Sequence, residues 1–126
     1  MRVFRLTVAM IALVLLAVPA SAGDREVMGD ELATLLTGNS INGMWGQGHY
    51  VQFFQSNGRT VYVSDGSAPD WGTWRISSAG RYCSVWRGGG ESCYPVIERD
   101  GGYYWLVESS GAVHPFDVVE GNITLQ

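Results

Sequence analysis

WGTWRISSAGRYCSVWRGGGESCYPVIERDGGYYW, residues 71–105, is the stretch whose reading decides the fold. Two cysteines, Cys83 and Cys93, stand ten positions apart in it, with the triplet Gly88-Gly89-Gly90 midway between them. Four of the five tryptophans of the chain, Trp71, Trp74, Trp86 and Trp105, fall in the same stretch. Short apolar runs alternate with turn chemistry at Ser78-Ala79-Gly80, at the glycine triplet and at Asp100-Gly101-Gly102, where glycine supplies the positive φ that tight turns require. The segment reads as four short strands doubling back on one another. A turn centred near Gly88 sets Cys83 and Cys93 opposite each other on adjacent strands, where Cα atoms lie about 4.5–5.5 Å apart, within reach of a disulfide.

Outward from this hairpin the same grammar continues. Strands are expected near 43–46, 49–55, 60–64, 72–76, 81–86, 92–98, 103–108 and 112–119, separated by Ser56-Asn57-Gly58, by Asp65–Asp70 and by Ser109-Ser110-Gly111. Alternation is clearest where Val61 and Val63 oppose Tyr62 and Ser64, and where Trp74 and Ile76 oppose Thr73 and Arg75. The connections are too short for crossover helices, so the sheet is antiparallel. The expectation is a mainly β chain, a meander of seven to eight strands that hides its edges by closing as a small barrel, with a two-sheet sandwich as the alternative. Pro95 and Pro115 fall inside strand runs and belong at bulges or on an edge. Ahead of the strands, the segment from Asp30 to Gly38 predicts one short helix: Asp30 as cap, Leu32, Leu35 and Leu36 on one face, and Gly38 past its end. So short a helix is not stable alone, and its leucines must pack on the β part. The residues from Asp24 to Gly29 read as a loose leader.

The first residues have another character. Arg2 and Arg5 precede an uncharged apolar run from Leu6 to Val18, Pro19 breaks it, and Ala20-Ser21-Ala22 sets small residues before Gly23. This is the pattern of a secretory signal peptide over 1–22, leaving 23–126 as a single β-barrel-like domain. The run is shorter than the roughly 20 residues a membrane span needs. An exported chain reaches an oxidising compartment, and two cysteines allow one pairing only. The chain carries a net charge of −4 and no lysine. It is therefore a poor match for nucleic acid or anionic lipid surfaces, which need clustered cations, and lysine Schiff-base chemistry is excluded.

Leu35-Leu36-x-Gly38-Asn39-x-Ile41-x-Gly43, the later Gly72-Thr73-Trp74, and Gly80-x-x-Cys83-x-x-Trp86 followed by Cys93 together resemble a group of small exported proteobacterial β-domain proteins. The resemblance spans most of the chain after the leader. It implies export, a disulfide and a lipocalin-like β fold, and it supplies no catalytic residues. A looser similarity, in size, export and barrel, is to the periplasmic barrel inhibitors of proteases and lysozymes.

Few residues suggest chemistry. His49 and His114 are the only histidines. A hydrolase would draw on His114 with Asp117, but no nucleophile-elbow pattern accompanies them. Two histidines with Asp117 lack a specific metal-ligand spacing, and two cysteines without a nearby histidine make no zinc set. Asp65, Asp70 and Glu91 fall in predicted turns, where acids are ordinarily solvated. The glycine triplet joins strands, so it lacks the helix N-terminus of a phosphate loop. Asn122-Ile123-Thr124 matches a glycosylation acceptor by chance. What remains is an excess of aromatic residues, which fill a narrow barrel or line a groove. The candidate binding residues are Trp74, Trp86, Tyr94 and Trp105, with Arg75 and Arg87 as anion partners. The expected function is that of a periplasmic or secreted, non-enzymatic domain without cofactor, binding a small ligand or an envelope protein. The alternatives are an inhibitor of a protease or lysozyme, presenting the Asp65–Asp70 loop, and the His114/Asp117 hydrolase.

Overall fold

The computed structural model describes residues 23–126; the expected signal peptide lies outside the described residues. A short strand β1 (Arg25–Val27) leads into helix α1 (Gly29–Leu36), and nine further strands follow: β2 (Asn39–Trp45), β3 (Gly48–Phe54), β4 (Arg59–Ser64), β5 (Asp70–Ile76), β6 (Tyr82–Trp86), β7 (Ser92–Tyr94), β8 (Val96–Arg99), β9 (Gly102–Val107) and β10 (Ala112–Glu120). All ten strands belong to one sheet, in the order β1-β8-β9-β10-β2-β3-β4-β5-β6-β7, and every pairing is antiparallel. Each strand from β2 to β7 pairs with the next in sequence, and β10 returns to pair with β2. This is the predicted meander. Among the described residues no helix is long and apolar enough to cross a membrane.

The expectation of seven to eight strands and a closed barrel needs correction. The count rises to ten for two reasons. The presumed leader supplies β1, and the single run expected over 92–98 divides at Pro95. Proline has no N–H to give to a ladder. Before it, β7 pairs with β6; after it, β8 pairs with β9 and with β1. The registered pairs of β6 end at Tyr82, opposite Tyr94, and β1 lies along the flank of β8 that β6 leaves vacant, with Val27 opposite Val96. The sheet thus curls into an open barrel whose two edges are β1 and β7. Across the gap the Gly29 N–H donates to the Gly80 carbonyl at 2.9 Å, and Arg81 reaches Glu26 at 3.2 Å. Pro115, in β10, stands where the strand has a registered partner on the β9 side alone, since pairing with β2 begins at Phe116.

The inner face follows from register. Tyr50, Gln52 and Phe54 on β3, Tyr82, Ser84 and Trp86 on β6, Trp105 on β9 and Phe116 on β10 alternate with outward residues. The core gathers Val27, Leu32, Leu36, Ile41, Phe54, Val96, Trp105 and Phe116. Helix α1 covers this end. Leu32 and Leu36 are fully buried, Leu35 is partly buried, and Glu31 is exposed and bound by Arg25. Asp30 lies in the first helical turn instead of capping it: the cap is Met28, which has no side-chain acceptor to offer. Gly38 takes φ +74° just past the helix and donates its N–H to the Phe54 carbonyl at 2.8 Å, tying the helix end to β3.

Cys83 and Cys93 are bonded and directly opposed in register on β6 and β7, with Cα atoms 4.0 Å apart. The turn uses Gly88 at φ +72°, and the Gly89 N–H donates to the Trp86 carbonyl. Closing so short a loop stabilises by roughly 3 kcal/mol at most in the chain-entropy account. Reduction is therefore expected to lower the melting temperature by several degrees while leaving the far-ultraviolet circular dichroism of the folded sheet intact. Loss of the folded signal at room temperature on reduction would show that the hairpin carries more of the fold than this.

Candidate functional site

At the end of the barrel away from α1, the inner face opens into a cavity of about 310 Å³. Its floor is made by Tyr50, Tyr82 and Trp105, each at most 4% exposed. Its walls are Trp45, Tyr62, Trp86 and Tyr94, with Gln52 and Ser84 between the rings and Asp70 at the mouth.

The rings are held by one another. Tyr82 packs on Trp105 with centroids 4.7 Å apart, and Tyr50 stacks on Tyr62 at 4.6 Å. Trp86 meets Tyr62 edge to face at 6.0 Å. Trp45 spans from β2 toward β7: it meets Tyr94 edge to face at 5.5 Å while the imidazole of His114 stacks on it at 4.0 Å. Two glycines make room for rings of neighbouring strands. A Cβ on Gly72 would come within 2.8 Å of Trp86 Cε3 and 2.5 Å of the Val85 carbonyl oxygen, and one on Gly43 within 2.9 Å of the Tyr50 hydroxyl. Both glycines are registered directly opposite the aromatic residue they admit.

Several polar atoms between the rings are already hydrogen-bonded. Trp105 Nε1 donates to the Tyr50 hydroxyl at 2.9 Å, Gln52 Nε2 donates to Thr60 Oγ1 and to the Tyr82 hydroxyl, and Trp86 Nε1 donates to Ser84 Oγ at 3.1 Å. Among the described residues no buried side-chain nitrogen or oxygen lacks a partner. Burial pushes the Tyr50 and Tyr82 phenols above their ordinary range, outweighing the lowering effect of their hydrogen bonds, so both stay protonated donors or acceptors at neutral pH. Burial likewise raises Tyr62.

Of the six candidate residues, the structure brings Trp86, Tyr94 and Trp105 together around this cavity, while Arg87 lies exposed in the turn after β6, outside its lining. Trp74 shares their face but lies against Phe54 at 5.4 Å, its Nε1 given to the Gln55 carbonyl; it is part of the packing toward the helix. Arg75 turns to the outer face of β5, where Glu91 takes its guanidinium through two bonds of 2.6 and 2.8 Å. Tyr62, Gln52, Ser84 and Asp70 were not among the candidates. The signal that finds three of them is period two: stepping back from Trp86 gives Ser84, stepping forward from Tyr50 gives Gln52, and Tyr62 is registered opposite Gln52. Asp70, expected in a turn, opens β5 opposite Tyr62.

His114 and Asp117 are three residues apart on β10, an odd separation that turns their side chains to opposite faces. His114 Nδ1 accepts the Gly46 N–H, and Asp117 is registered with Asn42. His49 is bound by Asp65 at 2.7 Å and by Asn42. Cys83, Glu91 and Cys93 cluster, but the two sulfurs are bonded to each other and offer no thiolate to a metal. All six residues of the expected Asp65–Asp70 loop are exposed, the last of them opening β5. In the acceptor-like tripeptide, Asn122 Nδ2 donates to the Gln126 carbonyl and Asn122 Oδ1 accepts from Thr124.

No protein-family model, curated protein or solved structure matches the chain.

Proposed function

We propose that this protein is an exported, non-enzymatic binding domain that holds a small ligand in the aromatic cavity of its open barrel. The observation that carries the reading is the cavity itself: about 310 Å³, open at one end and walled by aromatic rings packed against their neighbours. That volume is at the lower end of the range of small-molecule sites, and aromatic walls with a few placed polar groups are their usual lining. The bonded Cys83–Cys93 pair fits an oxidising location. The resemblance to small exported β-domain proteins points the same way. His114 and Asp117 face apart, which removes the pair a hydrolase would use.

The test is side-chain indole NMR during titration. Trp45, Trp86 and Trp105 line the cavity, whereas Trp71 and Trp74 do not and serve as internal controls. With a small panel of indole, choline, methyl glucoside and octanoate, at least one compound is expected to shift the three lining signals saturably and leave the two controls in place. Replacing the half-buried wall residue, Trp86→Ala, is expected to weaken that compound at least tenfold, a loss of about 1.4 kcal/mol. If all four compounds leave the lining signals unmoved, or move all five alike, the binding reading is overturned.

A further inference from the structure

The cavity is lopsided in charge. Seven aromatic rings and one carboxylate line it, and no arginine does. Five of the six described arginines are engaged elsewhere: Arg25, Arg75, Arg81 and Arg99 are bound by carboxylates, and Arg59 lies over the Trp71 ring at 4.4 Å; the sixth, Arg87, stands exposed in the turn after β6, outside the lining. Asp70, by contrast, forms no ion pair with any described residue and stands exposed at the mouth, beside Tyr62 in register.

Three ligand chemistries would suit aromatic walls, and the hydrogen bonds separate them. A sugar stacks on such rings but also needs many free donors and acceptors. Here the Gln52 amide nitrogen is committed to Thr60 and Tyr82, and the Tyr50 and Ser84 hydroxyl oxygens already accept from Trp105 and Trp86, which leaves few amide and hydroxyl groups between the rings for a sugar. A neutral apolar ligand would gain from the rings but nothing from the solvated Asp70 carboxylate at the mouth. An anion would meet the negative ring faces and the carboxylate together. A cation is attracted by both: ring faces carry negative quadrupole potential, and a carboxylate at the mouth adds direct Coulomb attraction.

We infer that the cavity takes an organic ammonium cation, seated against the faces of Tyr62, Trp86 and Tyr94 with the Asp70 carboxylate at its entrance. This rests on the binding reading above and specifies its ligand class.

The experiment compares choline, tetraethylammonium and benzyltrimethylammonium with dimethylbutanol, the neutral carbon analogue of choline, and with indole as a neutral planar probe, each titrated against the tryptophan side-chain signals. At least one of the cations is expected to bind, and choline at least tenfold more tightly than dimethylbutanol. Asp70→Asn, at an exposed position, is expected to weaken the bound cations about fivefold and leave indole unchanged. Saturation by indole or dimethylbutanol without any by the three cations overturns the inference and leaves the cavity a binding site for neutral ligands. Equal affinity for choline and its neutral analogue, unaffected by Asp70→Asn, also overturns it. Saturation by none of the five probes overturns the inference, and the binding reading falls with it when methyl glucoside and octanoate also leave the lining signals unmoved.

Discussion

Trp105→Ala is expected to cost about 3–5 kcal/mol of folding stability, a large part of the roughly 5–15 kcal/mol that holds a domain of this size. Trp105 is 3% exposed and stands between two rings, with Tyr82 at 4.7 Å and Phe116 at 4.9 Å. Its indole N–H is given to the Tyr50 hydroxyl inside the barrel. Removing it empties the floor of the cavity and leaves that hydroxyl without its donor. The substitution is also expected to abolish ligand binding, because the walls would stand over a void. Trp105→Phe separates the two contributions: it keeps most of the packing and loses the hydrogen bond, for an expected loss of about 1–3 kcal/mol. Urea unfolding followed by circular dichroism measures both. An alanine variant within 1 kcal/mol of the parent, roughly the scale of a surface change, would show that the floor is not a packed part of the core.

Leu36→Ala is expected to cost about 2–5 kcal/mol, the range for a buried leucine whose surroundings relax only in part. Leu36 is fully buried and joins Ile41, Phe54 and Val96 in one cluster. The helix it sits on has two turns or so and no side-chain cap, so its stability comes from this packing. Leu35, on the same helix but only partly buried, provides the comparison: Leu35→Ala should cost clearly less. A Leu36→Ala loss below half a kcal/mol would mean that α1 is not what covers this end of the barrel, and a Leu35→Ala loss equal to it would assign the packing to the wrong face.

Much of this architecture is written in local pattern. Turn residues placed eight strand runs within a few residues of where they lie, and the cysteine spacing with its glycine triplet placed the hairpin bond. Arg25-Glu26-Val27 escaped notice because three residues are too few to show alternation; what makes them a strand is the flank of β8 that β6 leaves vacant, a fact of three-dimensional register. The break at Pro95 was visible as an exception within a strand, but its consequence, an open seam, depends on which neighbours each half finds. The candidate site shows the same division. Parity with Trp74 already sends Arg75 to the other face of β5, away from the other candidates, whereas its partner Glu91 follows only from the fold. Asp70 was not legible: a turn-like sequence hid the first residue of a strand, and only its partner Tyr62 gives it a place at the cavity mouth.

The return of β10 to β2 has a consequence for the order in which the molecule can assemble. From β2 to β7, each strand finds its partner next door along the chain, so these hairpins close small loops at little entropic cost. The β10–β2 ladder is different. It joins segments at the two ends of the domain, and the bond from the Ser40 hydroxyl to the Gly121 carbonyl beside it spans 81 positions. Until the last strand has been made, β2 has a partner on one side only, and the aromatic interior has no β10 wall between it and water. Such distant pairings are what slow the folding of β proteins. The interval before β10 (Ala112–Glu120) docks on β2 is therefore when this chain exposes the rings that later line its cavity.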